Sequence, residues 1–397
     1  MIRMRLLLVL LLLCPAGFGQ EVRRALPVGG PGADWNAQAK FLAGVPLAPE
    51  EPLAALQKAP AYRPHSSDFE KMWRRYNERY FAPMRSWSSA EMAPRVPVAA
   101  PVYYFFGGPD AISPLALYPD APDFILGGLE PVGTVPDPVA LPPQRLQAAL
   151  DGLRQSTDVI LSFGHFITKD MRAELEVGEF KGVTPIILVF LAMSGCEVLD
   201  VSYFGVRGDG QAVDHRGEQG RAKGELPGVR VTFRRTPFSA PQRIHYVQAN
   251  VADGELGGKS GLLRWAEGFG PGNIYLKAAS YLLHESYFST IRGFLLRQAR
   301  SVLQDDSGIP FSFFQDGEWR VWFFGTYTGT LDIFKQYHQA KLGDAFETGG
   351  VPLAFGTGYK WRQGESNLLL AVKQAPPKAE PVAVPSGRVA PGEMRGL

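Results

Sequence analysis

Four carboxylates sit where loops leave apolar runs. Val102–Phe106 runs into Gly107-Gly108-Pro109-Asp110, and Phe124–Leu126 runs into Gly127-Gly128-Leu129-Glu130. A third place, Gln304-Asp305-Asp306-Ser307-Gly308-Ile309-Pro310, puts two carboxylates side by side in a tight polar loop. Carboxylates that face one another can divide acid and base roles, as in glycoside hydrolysis. They can also accept hydrogen bonds from the hydroxyls of a sugar or another small ligand. Asp110, Glu130, Asp305 and Asp306 are therefore the candidate ligand-binding residues; no residue is assigned a catalytic role. Each has a plainer reading: Asp110 caps a following helix, Glu130 holds a turn, and Asp305 and Asp306 are turn residues pointing opposite ways.

Other chemistries lack their signatures. No G-x-S-x-G elbow occurs, which leaves a serine hydrolase of that type unsupported. The six histidines, His65, His165, His215, His245, His284 and His338, are scattered without zinc spacing, so no metal is assigned. Asp209, Asp214 and His215 do not match a calcium loop. Gly258-Lys259-Ser260-Gly261 has Asp253 where a phosphate loop has its first glycine. No cofactor is expected.

The elements that must position these residues follow from periodicity. If the runs at 102 and 124 are parallel neighbouring strands, Asp110 and Glu130 border one crevice, because ligands of open α/β sheets lie beyond the C-terminal ends of strands. Thr184, Pro185 and Gly195 bracket IILVFLAMS, which is apolar all round; such a helix is buried on most sides, with Thr184 as its N-cap. Strands are expected at Glu197–Val206, Val229–Arg235 and Arg243–Val251, forming an antiparallel meander with a long polar loop over 207–228. Helices are expected at about 143–161, 167–176, 259–268, 286–303 and 331–346, and strands at 273–280, 319–327 and 367–372. Residues 20–60 read as an irregular arm on the surface, with short helical pieces near 35–43 and 52–58. Ser67 and Glu70 form a capping box before the aromatics Phe69, Trp73, Tyr76 and Tyr80, and Pro83 should end or kink that helix. The fold class is α/β or α+β: a mixed sheet with an antiparallel meander and helices on both faces, in a single globular domain over 95–373. An arm and aromatic helix span 20–94, and a disordered Pro-rich tail spans 374–397.

Composition is that of a globular protein, 45% hydrophobic and 20% charged. Arg3 and Arg5, the apolar run Leu6–Leu13 and the small residues up to Gly19 have the order of a secretory signal peptide, with cleavage near Gly19. Leu13 stands where a lipoprotein signal has a small residue, which argues against a lipid at Cys14. Of the 41 basic residues two leave with residues 1–19, so 39 face 39 acidic ones. This balance argues against nucleic acid as a partner. No further run has transmembrane length. A soluble periplasmic or secreted protein is expected, with Cys196 as a buried thiol, and its oligomeric state stays open.

GGPD after the first run, GGLEPVG after the second, the GVTPIILVFLA helix and QDDSGIPF together resemble an uncharacterised family of exported bacterial proteins, over roughly residues 100–373. The resemblance implies export and one globular unit; it implies no activity, cofactor or site residue. The expected function is non-catalytic binding of an envelope component or small molecule near Asp110 and Glu130. The alternatives are an envelope hydrolase of glycosidase type with paired carboxylates, and a structural or assembly protein whose arm wraps the core.

Overall fold

The computed structural model describes residues 34–374, apart from residue 98 and the segments 164–178, 216–220 and 258–259. The expected signal peptide, the helix at 167–176 and the tail lie outside these residues.

Eleven strands form one mixed sheet: β1 (Val102–Tyr104), β2 (Asp123–Gly128), β3 (Glu197–Val206), β4 (Ala212–His215), β5 (Leu226–Arg234), β6 (Gln242–Gln248), β7 (Gly272–Leu276), β8 (Ala299–Gln304), β9 (Trp319–Gly325), β10 (Gly350–Val351) and β11 (Asn367–Lys373). Their order is β10-β9-β11-β8-β7-β1-β2-β6-β5-β3-β4. The five central strands, β6-β2-β1-β7-β8, are parallel. Beyond β6 the sheet continues antiparallel through β5, β3 and β4, which is the expected meander with an added hairpin strand inside the segment read as a loop. Beyond β8, β11 is antiparallel and separates β8 from β9.

Counted along the chain, the parallel strands lie in the order third-second-first-fourth-fifth. The chain winds outward from β1 in one direction, then returns to β1 and winds the other way. This is the doubly wound order, and its reversal between β1 and β7 opens a crevice at the C-terminal ends of the strands.

Alternation along the central strands feeds two cores. Val102, Tyr104, Phe124 and Leu126 pack into one, together with the helices Trp35–Leu42, Tyr62–Tyr76 and Val183–Met193. Tyr103, Phe105 and Ile125 pack into the other, with the helices Leu262–Glu267, Ser289–Gln298 and Ala340–Gly349. Every residue from Val183 to Met193 is buried, as an all-apolar helix requires. Cys196 just beyond it is buried and free, and burial pushes its thiol up.

Several local expectations are corrected. The Val183–Met193 helix is N-capped by Gly182 at φ 75° rather than by Thr184. Thr184 lies inside the first turn, and its Oγ1 donates to Val132 O at 2.8 Å, tethering the helix to the loop after Glu130. The aromatic helix starts at Tyr62, five residues before Ser67. The stripe that decides its extent is Tyr62, His65, Phe69, Met72 and Tyr76, all buried. Pro83 does not end it. A π-turn at Asn77–Phe81, closed by Ala82 N–H on Asn77 O, precedes it, Pro83 falls in the first turn of the helical segment Ala82–Trp87 where no N–H is needed, and the chain stays helical to Met92. The segment 35–57 does not lie on the surface, since Phe41 and Leu42 are fully buried in the first core.

The largest correction concerns 286–303. The helix covers only Ser289–Gln298, and Ala299–Gln304 is the central strand β8. Val302 and Leu303 continue the helical spacing by coincidence. Pairing of β8 with β7 on one side and β11 on the other buries both residues, and periodicity cannot separate the two outcomes over so short a run. The strand assignment carries Asp305 to the C-terminal edge of the sheet.

Candidate functional site at the strand switch point

β1 and β2 are parallel neighbours, with Tyr104 opposite Leu126. Their two Gly-Gly turns meet: Gly108 N–H donates to Gly127 O at 3.2 Å. Glu130 is folded into this junction. A Cβ on Gly128 would lie 2.3 Å from Glu130 Oε2 and 2.8 Å from Gly108 Cα, and one on Gly108, at φ +51°, would lie 3.0 Å from Oε2. Gly108 and Gly128 are glycine because the carboxylate occupies the space that side chains would take, while Gly107 and Gly127 make way for the Tyr104 and Phe105 rings. Tyr246 from β6 donates to the Glu130 carbonyl at 2.7 Å and fixes the turn from below.

A pocket with a cavity volume of about 140 Å³ opens here. It is bounded by the segments after β1, β2, β6 and β7. Phe105, Phe106, Val251 and Phe288 give it apolar walls; Glu130, Asn250, Lys277 and Ser280 are among its polar lining. Within that lining Glu130 is the single carboxylate and Lys277 the single cation.

Asp110 does not line the pocket. It is 1% exposed and lies behind it. Lys277 Nζ stands 2.5 Å from Asp110 Oδ2 and donates to Ser113 Oγ at 3.0 Å. Tyr104 Oη donates to Asp110 Oδ2 at 3.1 Å, and Ser113 N–H donates to Oδ1 at 3.2 Å. The short helix Ile112–Leu117 thus begins against Asp110, which combines the capping role read from the sequence with a buried ion pair.

Asp305 and Asp306 lie at the end of β8, on the far side of β7. Asp305 Oδ1 accepts from Ser307 N–H at 3.0 Å and from Ser307 Oγ, and Oδ2 accepts from Ala278 N–H at 2.8 Å. Asp306 accepts from Tyr281 Oη and from Asn367 Nδ2 at 2.9 Å. Burial, and then the neighbouring negative charge of Asp306, pushes the Asp305 carboxyl up to about 7. Burial raises Asp306 as well, against the hydrogen bonds it receives from Tyr281 and Asn367. The two side chains do point to different partners, but neither is a solvated turn residue.

The sequence reading missed Lys277, Asn250 and the segment Ala278–Tyr281. The signal used for Asp110 and Glu130 applies to the first two: Asn250 follows the end of β6 closely, and Lys277 follows β7 directly. Reading 273–280 as one strand hid Lys277 inside it. No protein-family model, curated protein or solved structure matches this chain.

Proposed function

We propose that the chain is an exported binding protein whose pocket takes a small ligand bearing a vicinal diol, of the ribonucleoside type. The observation that carries this reading is Glu130, pressed against Gly108 and Gly128 at the end of the second parallel strand and facing the switch-point pocket. In doubly wound sheets a glycine-rich turn follows the first strand, and an acidic residue about 20 positions on accepts from ribose hydroxyls. Glu130 follows Gly108 by 22 residues. The apolar walls suit a flat base, and Asn250, just after the third parallel strand, offers it an amide donor, its Oδ1 accepting from Ala252 N–H at 3.1 Å.

Phosphate does not belong to this ligand. In dinucleotide sites the pyrophosphate meets the start of the helix after the first glycine turn. Here Asp110 occupies that position, and the pocket's one lining cation is engaged with it. A paired-carboxylate hydrolase is less well supported, since no second carboxylate among the described residues lines the pocket beside Glu130. Export is supported by the leader-like residues 1–19.

The test is calorimetric titration of residues 20–397 with adenosine, guanosine, cytidine and uridine, the 2′-deoxy form of any that binds, and its 5′-monophosphate. At least one ribonucleoside should bind. Loss of the 2′-hydroxyl, or Glu130→Gln, should weaken it about tenfold or more, as expected for a lost charge-assisted hydrogen bond. Absence of binding by all four, or indifference to both changes, would refute the reading.

A further inference from the structure

Three residues that form part of the pocket wall or adjoin it have backbone conformations that side chains other than glycine rarely adopt. Ala278, Ser280 and Tyr281 have φ of +50°, +53° and +56°. Left-handed residues of this kind persist only where surrounding structure over-determines them, and they concentrate at functional sites. Ala278, Ala279 and Ser280 line the pocket and form its floor after β7, and Tyr281 adjoins them in the chain.

We infer that Asp305, Asp306 and Ser307 form a clamp that holds this floor in its left-handed conformation and so sets the pocket's affinity without contacting the ligand. The inference rests on the pocket being the binding site proposed above.

Each floor residue is held from outside the pocket. Ala278 N–H donates to Asp305 Oδ2 at 2.8 Å, and Ala279 N–H donates to Ser307 Oγ at 2.8 Å. Ser280 Oγ and Tyr359 Oη share a hydrogen bond of 2.6 Å, and Tyr281 Oη donates to Asp306 Oδ2. Gly358 is shaped for the same contact, because a Cβ there would lie 2.2 Å from Asp305 Oδ2. None of the three clamp residues lines the pocket. Two adjacent carboxylates, Asp305 buried and Asp306 half-buried, cost stability. Fixing a strained floor gives that cost a use that chain stability alone does not.

The groups facing the pair come from six segments of the chain. Tyr104 and Tyr275 approach Asp305 from the sheet, and Tyr281 and Tyr359 from the floor and the segment before β11. Asp306 is faced by Tyr281, Tyr327 and Asn367, with Lys360 as the cation acting on it. The clamp bonds of Ser307 and Tyr281 involve neutral hydroxyls, so replacing either residue probes the clamp without removing a charge.

The decisive experiment compares wild type with Ser307→Ala and Tyr281→Phe, by amide hydrogen exchange and by titration with the same four ribonucleosides. Ser307→Ala removes the bond from Ala279 N–H together with the one that Ser307 Oγ donates to Asp305; Tyr281→Phe removes only the bond to Asp306, keeps the ring and guards against general unfolding. Exchange across 278–281 should rise about tenfold while the central strands stay protected, and ribonucleoside affinity should fall about tenfold. Unchanged floor exchange in both variants overturns the clamp. So does faster floor exchange with unchanged affinity, which a purely structural role would give. If wild type binds none of the four, the nucleoside reading falls, and the clamp stands or falls on floor exchange alone.

Discussion

Lys277 Nζ lies 2.5 Å from Asp110 Oδ2, and the two are almost wholly buried between the pocket and the helical layer. A buried ion pair is weak support for stability, but breaking one is expensive because the survivor stays charged in a low dielectric. Lys277→Met should therefore cost about 3–5 kcal/mol in chemical denaturation. Asp110→Asn combined with Lys277→Met removes both charges and should recover most of that loss. If the double variant is no more stable than the single, Asp110 is not the group that Lys277 neutralises.

Glu130 depends on glycine on both sides. Gly128→Ala would place a Cβ 2.3 Å from Glu130 Oε2 and 2.8 Å from the Gly108 backbone. The backbone contact cannot give way, so the carboxylate must leave its place. Ribonucleoside binding should fall at least about tenfold, with a stability loss of about 1–3 kcal/mol from the forced shift. Retained affinity would show that the ligand does not use the carboxylate where it now stands.

Much of this site could be read from the residues, and the reasons for the rest are physical. Two glycine pairs each followed by a carboxylate mark strand ends locally, and those strands are indeed adjacent and parallel. What local pattern cannot supply is the third dimension. Asp110 and Glu130 look alike in the chain, yet a lysine just after β7, more than 160 residues away, takes one of them out of the pocket. Asp305 looks like a turn residue because its burial comes from β11 and the segment around Gly358, long after it in sequence. The helical spacing that runs through Val302 is equally local, and the sheet overrides it.

The proton balance of Asp305 gives a signed prediction. Burial and Asp306 raise its folded pKa from the ordinary value of 3.8 to about 7. Between those values the folded state holds more protons than the unfolded one, so stability falls as pH rises from about 4 to about 7 and levels off above. Asp305→Asn removes this dependence and also loses the bond from Ala278. Relative to the variant, wild type should gain roughly 2–4 kcal/mol as pH falls across that window. A constant difference from pH 4 to pH 8 would mean that Asp305 is ionised throughout.

His65 acts in the opposite sense over nearly the same range. It is fully buried, its Nε2 is bonded to Leu42 O at 2.9 Å, and burial lowers its pKa from 6.5 to about 4. The unfolded chain takes up the proton first, so the stability contributed by neutral His65 is present above about 6.5 and lost as pH falls toward 4. A neutral replacement such as His65→Gln should flatten that acid-side loss in urea titrations, whatever it costs at pH 7. An unchanged acid limb would place the loss elsewhere, with His284, which burial also lowers to about 4, as the next residue to test.

The N-terminal helices raise a last prediction about where the folding unit begins. Trp35, Phe41, Leu42 and Leu53 are all buried in the first core, alongside Phe69, Met72 and Tyr76. Burying one large apolar side chain contributes about 1.5–3 kcal/mol. Removing the four residues between 35 and 53 therefore withdraws roughly as much as the whole net stability of a typical domain, about 5–15 kcal/mol. Deleting 20–60 should give a chain without a cooperative thermal transition, rather than a stable protein altered only in assembly. A deleted chain that melts cooperatively and still binds its ribonucleoside would show that these helices lean on a core complete without them.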